Sequence, residues 1–252
     1  GRVPQLLERG FIAFKSSTYM IVISGFLEPV LYLLSFGYGI GKLLPTIAVG
    51  GESIKYAAFI APALLATSAM NGAIYDSTMN VYFKLNHDRI YHGMLATSMG
   101  PLDVALGEIG WALLRGFSYA CAFMAVIAPL GLVESVWGLL AIPAAVLIAF
   151  GFAACGMAVT SYMKSFQQLE IVTVVLLPMF LFSGSFYPIS VFPEWLQFTV
   201  NLLPLTHAIN LVRGLCLGNL EFALLGHAFY FVVMIVIGLF FTTKRLNALF
   251  MK

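Results

Sequence analysis

Apolar runs at Tyr19–Gly41, Tyr56–Val81, Leu102–Ala128, Trp137–Tyr162, Leu169–Ser185 and Phe222–Thr243 dominate this sequence. Each is close to the roughly 20 residues a helix needs to cross the hydrocarbon core of a bilayer. A water-soluble fold would have to bury all six beneath a charged surface, and ordinary soluble domains are about one quarter charged. Here only 10% of 252 residues are charged, 61% are hydrophobic and the mean hydropathy is +0.95. Lipid asks for no charged surface, but every backbone polar group must be satisfied within the chain, which favours helices over open strands. The expectation is an all-α, polytopic membrane protein with six transmembrane helices in one domain over 1–252. A soluble enzyme is excluded. A net charge of +2 gives no footing for a nucleic-acid partner.

The segments between the runs differ in kind. Residues 2–15 set Leu6, Leu7, Phe11, Ile12 and Phe14 among basic residues, the pattern of an amphipathic helix lying on a membrane surface. A disordered leader is the alternative, and no cleavable signal peptide is visible there. Residues 42–55 read as a short polar loop. The 186–213 stretch is apolar but interrupted by Pro188, Pro193 and Pro204, with Gly214 and Gly218 just beyond. That predicts short re-entrant helices at the outer interface, anchored by Tyr187 and Trp195, rather than a straight span. Positive charge sets the orientation. An inside N-terminus puts Arg2, Arg9, Lys15, Lys84, Arg89, Lys164, Lys244, Arg245 and Lys252 in the cytoplasm and leaves only Lys42, Lys55 and Arg213 outside. Both termini are then cytoplasmic, in a cell (inner or plasma) membrane.

Motif chemistry is sparse. GYGIGK at 37–42 lacks the spacer and the Ser/Thr of a phosphate loop and closes a membrane helix, so it is rejected as a nucleotide site. His87, His92, His207 and His227 are scattered, and Cys121, Cys155 and Cys216 have no metal-ligand spacing. No catalytic residue, metal or cofactor is expected on this chain.

Ionisable groups inside spans carry more information, because each is costly unless paired or wetted. Glu28 lies about 14 Å into the first span at 1.5 Å per residue, and Arg115 enters the third span to a comparable depth. The expectation is that both face the protein interior and form an ion pair. Glu108, two turns away on the face of Arg115, is a competing partner, and a purely structural tether is the plainer reading. Asp76 is expected near the cytoplasmic end of the second span, within reach of water, and is given no role; Asn71 lies on another face.

The loop at 84–100 is the most exposed cytoplasmic segment. Asn86, His87, Asp88, Arg89 and Tyr91 mixed with Ile90, Met94 and Leu95 suit a short helix with an apolar face and a charged rim, the anatomy of a contact site. A solvated connector is the alternative.

Three stretches carry a resemblance. FLEPVLYLLSFGYGIG at 26–41 is similar to the first span of nodulation-factor-type permeases. HGMLATSMGPLDVALGEIGWALLRG at 92–116 resembles a cytoplasmic coupling segment running into a third span. FLFSGSFYPISVFPEWLQFTVNLLPLTHAINLVRG at 180–214 is the most specific. Together they resemble the membrane subunit of type-2 ATP-binding-cassette exporters, the permeases of nodulation factors, polysaccharides and drugs. The resemblance implies paired permeases, identical or paralogous, docked on two cytoplasmic ATPase subunits that bind ATP and Mg. It implies a coupling helix at about 86–96, an interface helix at 2–15, re-entrant outer helices, and a pathway lined by the first, second and fifth spans. Tyr32, Phe36 and Tyr38 with Phe180 and Phe182 then offer aromatic contact to an amphiphilic substrate, although ordinary helix packing explains them equally well. An intramembrane lipid-modifying enzyme would need clustered acids and histidines near one interface, and a passive channel or scaffold would need no ATPase companion.

Overall fold

The computed structural model describes residues 27–49, 52–87, 90–95 and 100–250. The 2–15 segment, the start of the first apolar run, and Asp88 and Arg89 lie outside the described residues.

Helix α1 covers 27–38 and passes through a turn into α2, Ile40–Leu43. A two-stranded antiparallel hairpin follows, β1 (Thr46–Val49) pairing with β2 (Glu52–Lys55) in the register Thr46↔Lys55 to Val49↔Glu52. Here the expected all-α loop is corrected. The Gly50-Gly51 pair between two short strands is a hairpin signal, and the strands satisfy each other's backbone where the chain turns outside a span.

Helix α3, Tyr56–Tyr75, is the axis of the molecule. It is apolar on all sides, as a helix enclosed by protein must be, and all but a few of its residues are buried. Pro62 sits within its early turns without ending it. Two π-helical turns, Asp76–Asn80 and Phe83–His87, carry the helix beyond the apolar run. Short α4, Ile90–Leu95, follows. Helix α5, Pro101–Ile127, starts with Pro101 in its first turn, and the Asp103 carboxylate accepts from the Gly100 N–H. Helix α6, Ala141–Tyr162, returns across the bundle. Close approach between spans rests on small residues. A Cβ on Gly116 would lie 2.8 Å from that of Ala149, and one on Gly238 would lie 2.5 Å from the Ala154 carbonyl carbon.

Helix α7, Gln168–Phe182, is shorter, about 22 Å at 1.5 Å per residue. It stands off the bundle, with only Leu169 and Met179 buried. Helices α8 (Glu194–Asn201) and α9 (Pro204–Leu217) meet at an 83° bend. Gly218, with φ +82°, ends α9 in the left-handed conformation that glycine accepts most readily. Helix α10, Ala223–Phe250, packs on α6 and presents most of its surface outward. Among the described residues, four helices are long and apolar enough to cross a membrane: Tyr56–Asn86, Pro101–Ile127, Val136–Tyr162 and Ala223–Leu249. The fold is an all-α membrane bundle apart from the hairpin, with α3 enclosed by α5, α6 and α9.

Candidate functional site

The expected Glu28–Arg115 pair does not form. Arg115 Nε instead lies 2.8 Å from Asp76 Oδ2, with side chains only 8% and 3% exposed. The angle at Nε falls outside hydrogen-bonding geometry, so this is a Coulombic contact. Asn80 Nδ2 donates to the other Asp76 oxygen from one turn away, and the guanidinium also lies 5.7 Å from the Tyr75 ring centroid. Asp76 is thus buried rather than within reach of water. The reason is tertiary: α3 is covered on every side, so its first carboxylate after the apolar run meets α5 instead of solvent. Glu108 does not compete for Arg115 either. It accepts from Lys84 Nζ at 2.5 Å.

These contacts form two rungs between antiparallel helices. One partner of each is Asp76 or Lys84, eight residues apart and about 12 Å along the axis; the other is Arg115 or Glu108. The alternation of sign permits one register between α3 and α5 and opposes a slip. The lower rung sits in the second π-turn, directly before the segment expected to couple. In that segment Asn86 is exposed and His87 closes the π-turn. Tyr91 is 0% exposed, and Ile90 and Met94 are half-buried. Leu95 ends α4. Tyr91 therefore pins the short helix, with Ile90 and Met94 packed against the core beside it and Gly93 exposed.

Glu28 lies elsewhere, in a cavity of about 230 Å³ between α1, α3 and α7. Asn71, Thr67 and Thr173 supply its other polar walls, and Tyr32 and Phe180 its aromatic ones. Among the described residues no cation lies within 4 Å of Glu28. The expected aromatic residues only partly assemble. Tyr32, Phe36 and Phe180 form one cluster with Phe186, at centroid separations of 4.7 to 6.0 Å. Phe182 faces the opposite side of α7 and packs on Phe192, while Tyr38 is exposed. That opposite side is a second cavity of about 900 Å³ against α6, α8 and α10, and Leu176 lines both.

Two further features escaped sequence reasoning. Arg213 Nε donates to the Phe59 carbonyl at 3.2 Å and Nη2 to the Gly184 carbonyl at 2.9 Å, with the guanidinium 3.8 Å above the Phe59 ring. It clasps α9 to α3 and to the loop after α7. His207 and His227 bring their Nδ1 atoms to 2.7 Å, and His207 stacks on Tyr230. Twenty residues of separation hid that pair, and no local motif marks it. Among the described residues no three His, Cys, Asp or Glu side chains gather in a metal-binding group.

The comparisons with known proteins agree with this architecture. The ABC-2 type transporter family matches residues 2–217. Nodulation protein J of Rhizobium leguminosarum bv. trifolii is 30% identical over 240 residues, covering 95% of this chain and 90% of that protein. Nodulation protein J of Sinorhizobium fredii is 31% identical over 206 residues, covering 81% and 77%. The protein of the same name from Rhizobium meliloti is 28% identical over 212 residues, covering 84% and 79%. A bundle of apolar helices matched along most of its length in this way is a multi-pass permease, and the chain belongs to the ABC-2 type transporter family.

Proposed function

We propose that this chain is one of two permeases that together enclose the export path for an amphiphile, a glycolipid, polysaccharide or hydrophobic drug, driven by two separate cytoplasmic ATP-binding-cassette ATPase subunits. In this reading α1 belongs to the first span and α7 is the fifth. Both termini are then cytoplasmic, six spans are present, and α8–α9 is a re-entrant pair at the exit. ATP and Mg are held by the ATPases, and the second permease is a copy or a paralogue.

The observation that carries the reading is the anchored segment after α3. A motor needs a handle that is stiff on the permease side and open on its own. Buried Tyr91 and the Lys84–Glu108 rung supply the first, and exposed Asn86 and Gly93 supply the second. Closure of an ATPase around this handle would push on α3 and, through the two rungs, on α5. Support for the path comes from α1 and α7, whose outward residues Leu31, Leu34, Val174 and Leu181 form apolar surface that a second permease would cover. The Glu28 cavity opens between these two helices, with carboxylate, amide, hydroxyl and aromatic walls suited to a polar head group beside apolar surface.

The test is co-purification with the ATPase subunit, followed by turnover and export measurements. Deleting 86–96 is expected to leave the protein inserted and to uncouple ATP hydrolysis from export. Export that survives this deletion sinks the coupling assignment.

A further inference from the structure

The 900 Å³ chamber on the far side of α7 is not used by that pathway. It lies at the upper end of the ~300–1,000 Å³ range of sites that enclose small molecules. Its α6 wall is Phe152, Cys155, Gly156, Val159 and Tyr162, and its α7 wall is Ile171, Val172, Val175, Leu176, Met179 and Phe182. Leu196, Val200 and Leu203 close the α8–α9 end, and Tyr230 and Met234 of α10 close the back. No charged residue lines it. Val159, Ile171 and Val175 line it and are more than half exposed, so its walls are open apolar surface that a hydrocarbon chain would match. Its lining runs along α7 from Gln168 to Phe182, about 22 Å at 1.5 Å per residue, the dimension of an extended hydrocarbon chain rather than of a compact ligand.

The two ends differ in charge, and that orients the occupant. At the α6–α7 end Arg245 sits 4.9 Å above the Tyr162 ring and donates through Nε to the Ser161 carbonyl, leaving the rest of its fork available. Exposed Lys164 follows two residues after Tyr162. Among the described residues neither has a carboxylate within 4 Å. The α8–α9 end offers Glu194 and no exposed cation.

We infer that the chamber holds one acyl chain of an anionic glycerophospholipid, whose phosphate rests at Lys164 and Arg245 while its tail runs between α6 and α7 toward the α8–α9 turn. The lipid is a resident partner, distinct from the exported cargo. It fills the gap behind α7, which stands off the bundle. The site stands independently of the export reading, because its test needs neither nucleotide nor ATPase.

The experiment uses the full chain in nanodiscs of phosphatidylcholine containing a few per cent of phosphatidylglycerol with a diazirine at the end of one acyl chain. After irradiation, labelled peptides are mapped. Labelling is expected to concentrate on residues 196–203 and on the chamber side of α7. Val175→Trp, or Ile171→Trp should the first misassemble, fills open space and is expected to reduce that labelling at least fivefold. Val236→Trp, exposed on α10 and outside the chamber, is expected to leave it unchanged. Lys164→Gln is expected to weaken the preference for phosphatidylglycerol on the order of fivefold, the effect of one cation near an anionic head group. Labelling that is indifferent to Val175→Trp and Ile171→Trp overturns the tail site. A phosphatidylcholine probe that labels the same residues as strongly in the unmodified chain overturns the anionic assignment.

Discussion

Removing either member of the Asp76–Arg115 rung strands a buried charge. With the side chains 3% and 8% exposed, the survivor has little water to turn to, and breaking such a pair from one side costs about 3–5 kcal/mol. Asp76→Asn keeps an acceptor for Asn80 but leaves the buried Arg115 with no carboxylate, only the neutral Tyr119 side chain and the Tyr75 ring. Arg115→Met leaves the carboxylate with one amide. Each single variant is expected to lose about 3–5 kcal/mol. The double variant Asp76→Asn/Arg115→Met removes both charges and is expected to lose no more than either single variant, because the paired ions roughly cancel their own desolvation cost. The coupling energy is then about 3–5 kcal/mol, well above the ~0.5 kcal/mol within which independent sites add. The assay is reversible unfolding in mixed micelles, followed as a double-mutant cycle. A double variant that loses the sum of the two single losses would refute the pairing.

Three other outcomes follow from the packing. Gly238→Ala places a methyl against the Ala154 backbone, which cannot give way as a flexible side chain can. It is expected to cost about 1–3 kcal/mol, whereas Gly226→Ala on the same helix meets nothing within 4 Å and is expected to gain up to about 1 kcal/mol from helix propensity; equal effects in an unfolding titration would contradict the α6–α10 contact. Arg213→Met loses two charge-assisted hydrogen bonds worth about 1.5–3 kcal/mol each, and Arg213→Lys is expected to recover less than half, since an ammonium lacks the planar fork that spans both carbonyls; full recovery by lysine in the same titration would refute the clasp. Glu28→Gln is expected to leave stability within about 0.5 kcal/mol, because the carboxylate is exposed and no cation among the described residues lies within 4 Å of it, while lowering export of cationic amphiphiles relative to neutral ones. A large stability loss would place Glu28 in a structural pair instead.

The aromatic residues show how far linear reading reached. Tyr32, Phe36 and Phe180 were legible as one set because they lie on helices expected to line a common path. Phe182 is two residues beyond Phe180, and on a helix that step of about 200° turns it to the opposite face. The sequence does not say which face of α7 meets which neighbour. The hairpin was legible in principle, since Gly50-Gly51 between short strands is a turn signal, but the composition of the surrounding loop outweighed it.

Apolar runs of bilayer length, too few charges to cover a soluble surface and proline breaks after the fifth run determined the environment, the helical class and the break between α8 and α9 without reference to any fold. These are local properties, set by what lipid does to backbone polar groups and by what proline does to a helix. Partners across the bundle are not local. Only the tertiary structure decided that Arg115 meets Asp76 rather than Glu28, that Lys84 takes Glu108, that His207 finds His227, and that α7 divides a polar cavity from an apolar one. The physical reason is rotation: hydropathy measures how much of a helix is apolar, whereas pairing depends on the azimuth at which each side chain leaves the axis. The uniformly apolar α3 and α7 carry almost no azimuthal signal of their own.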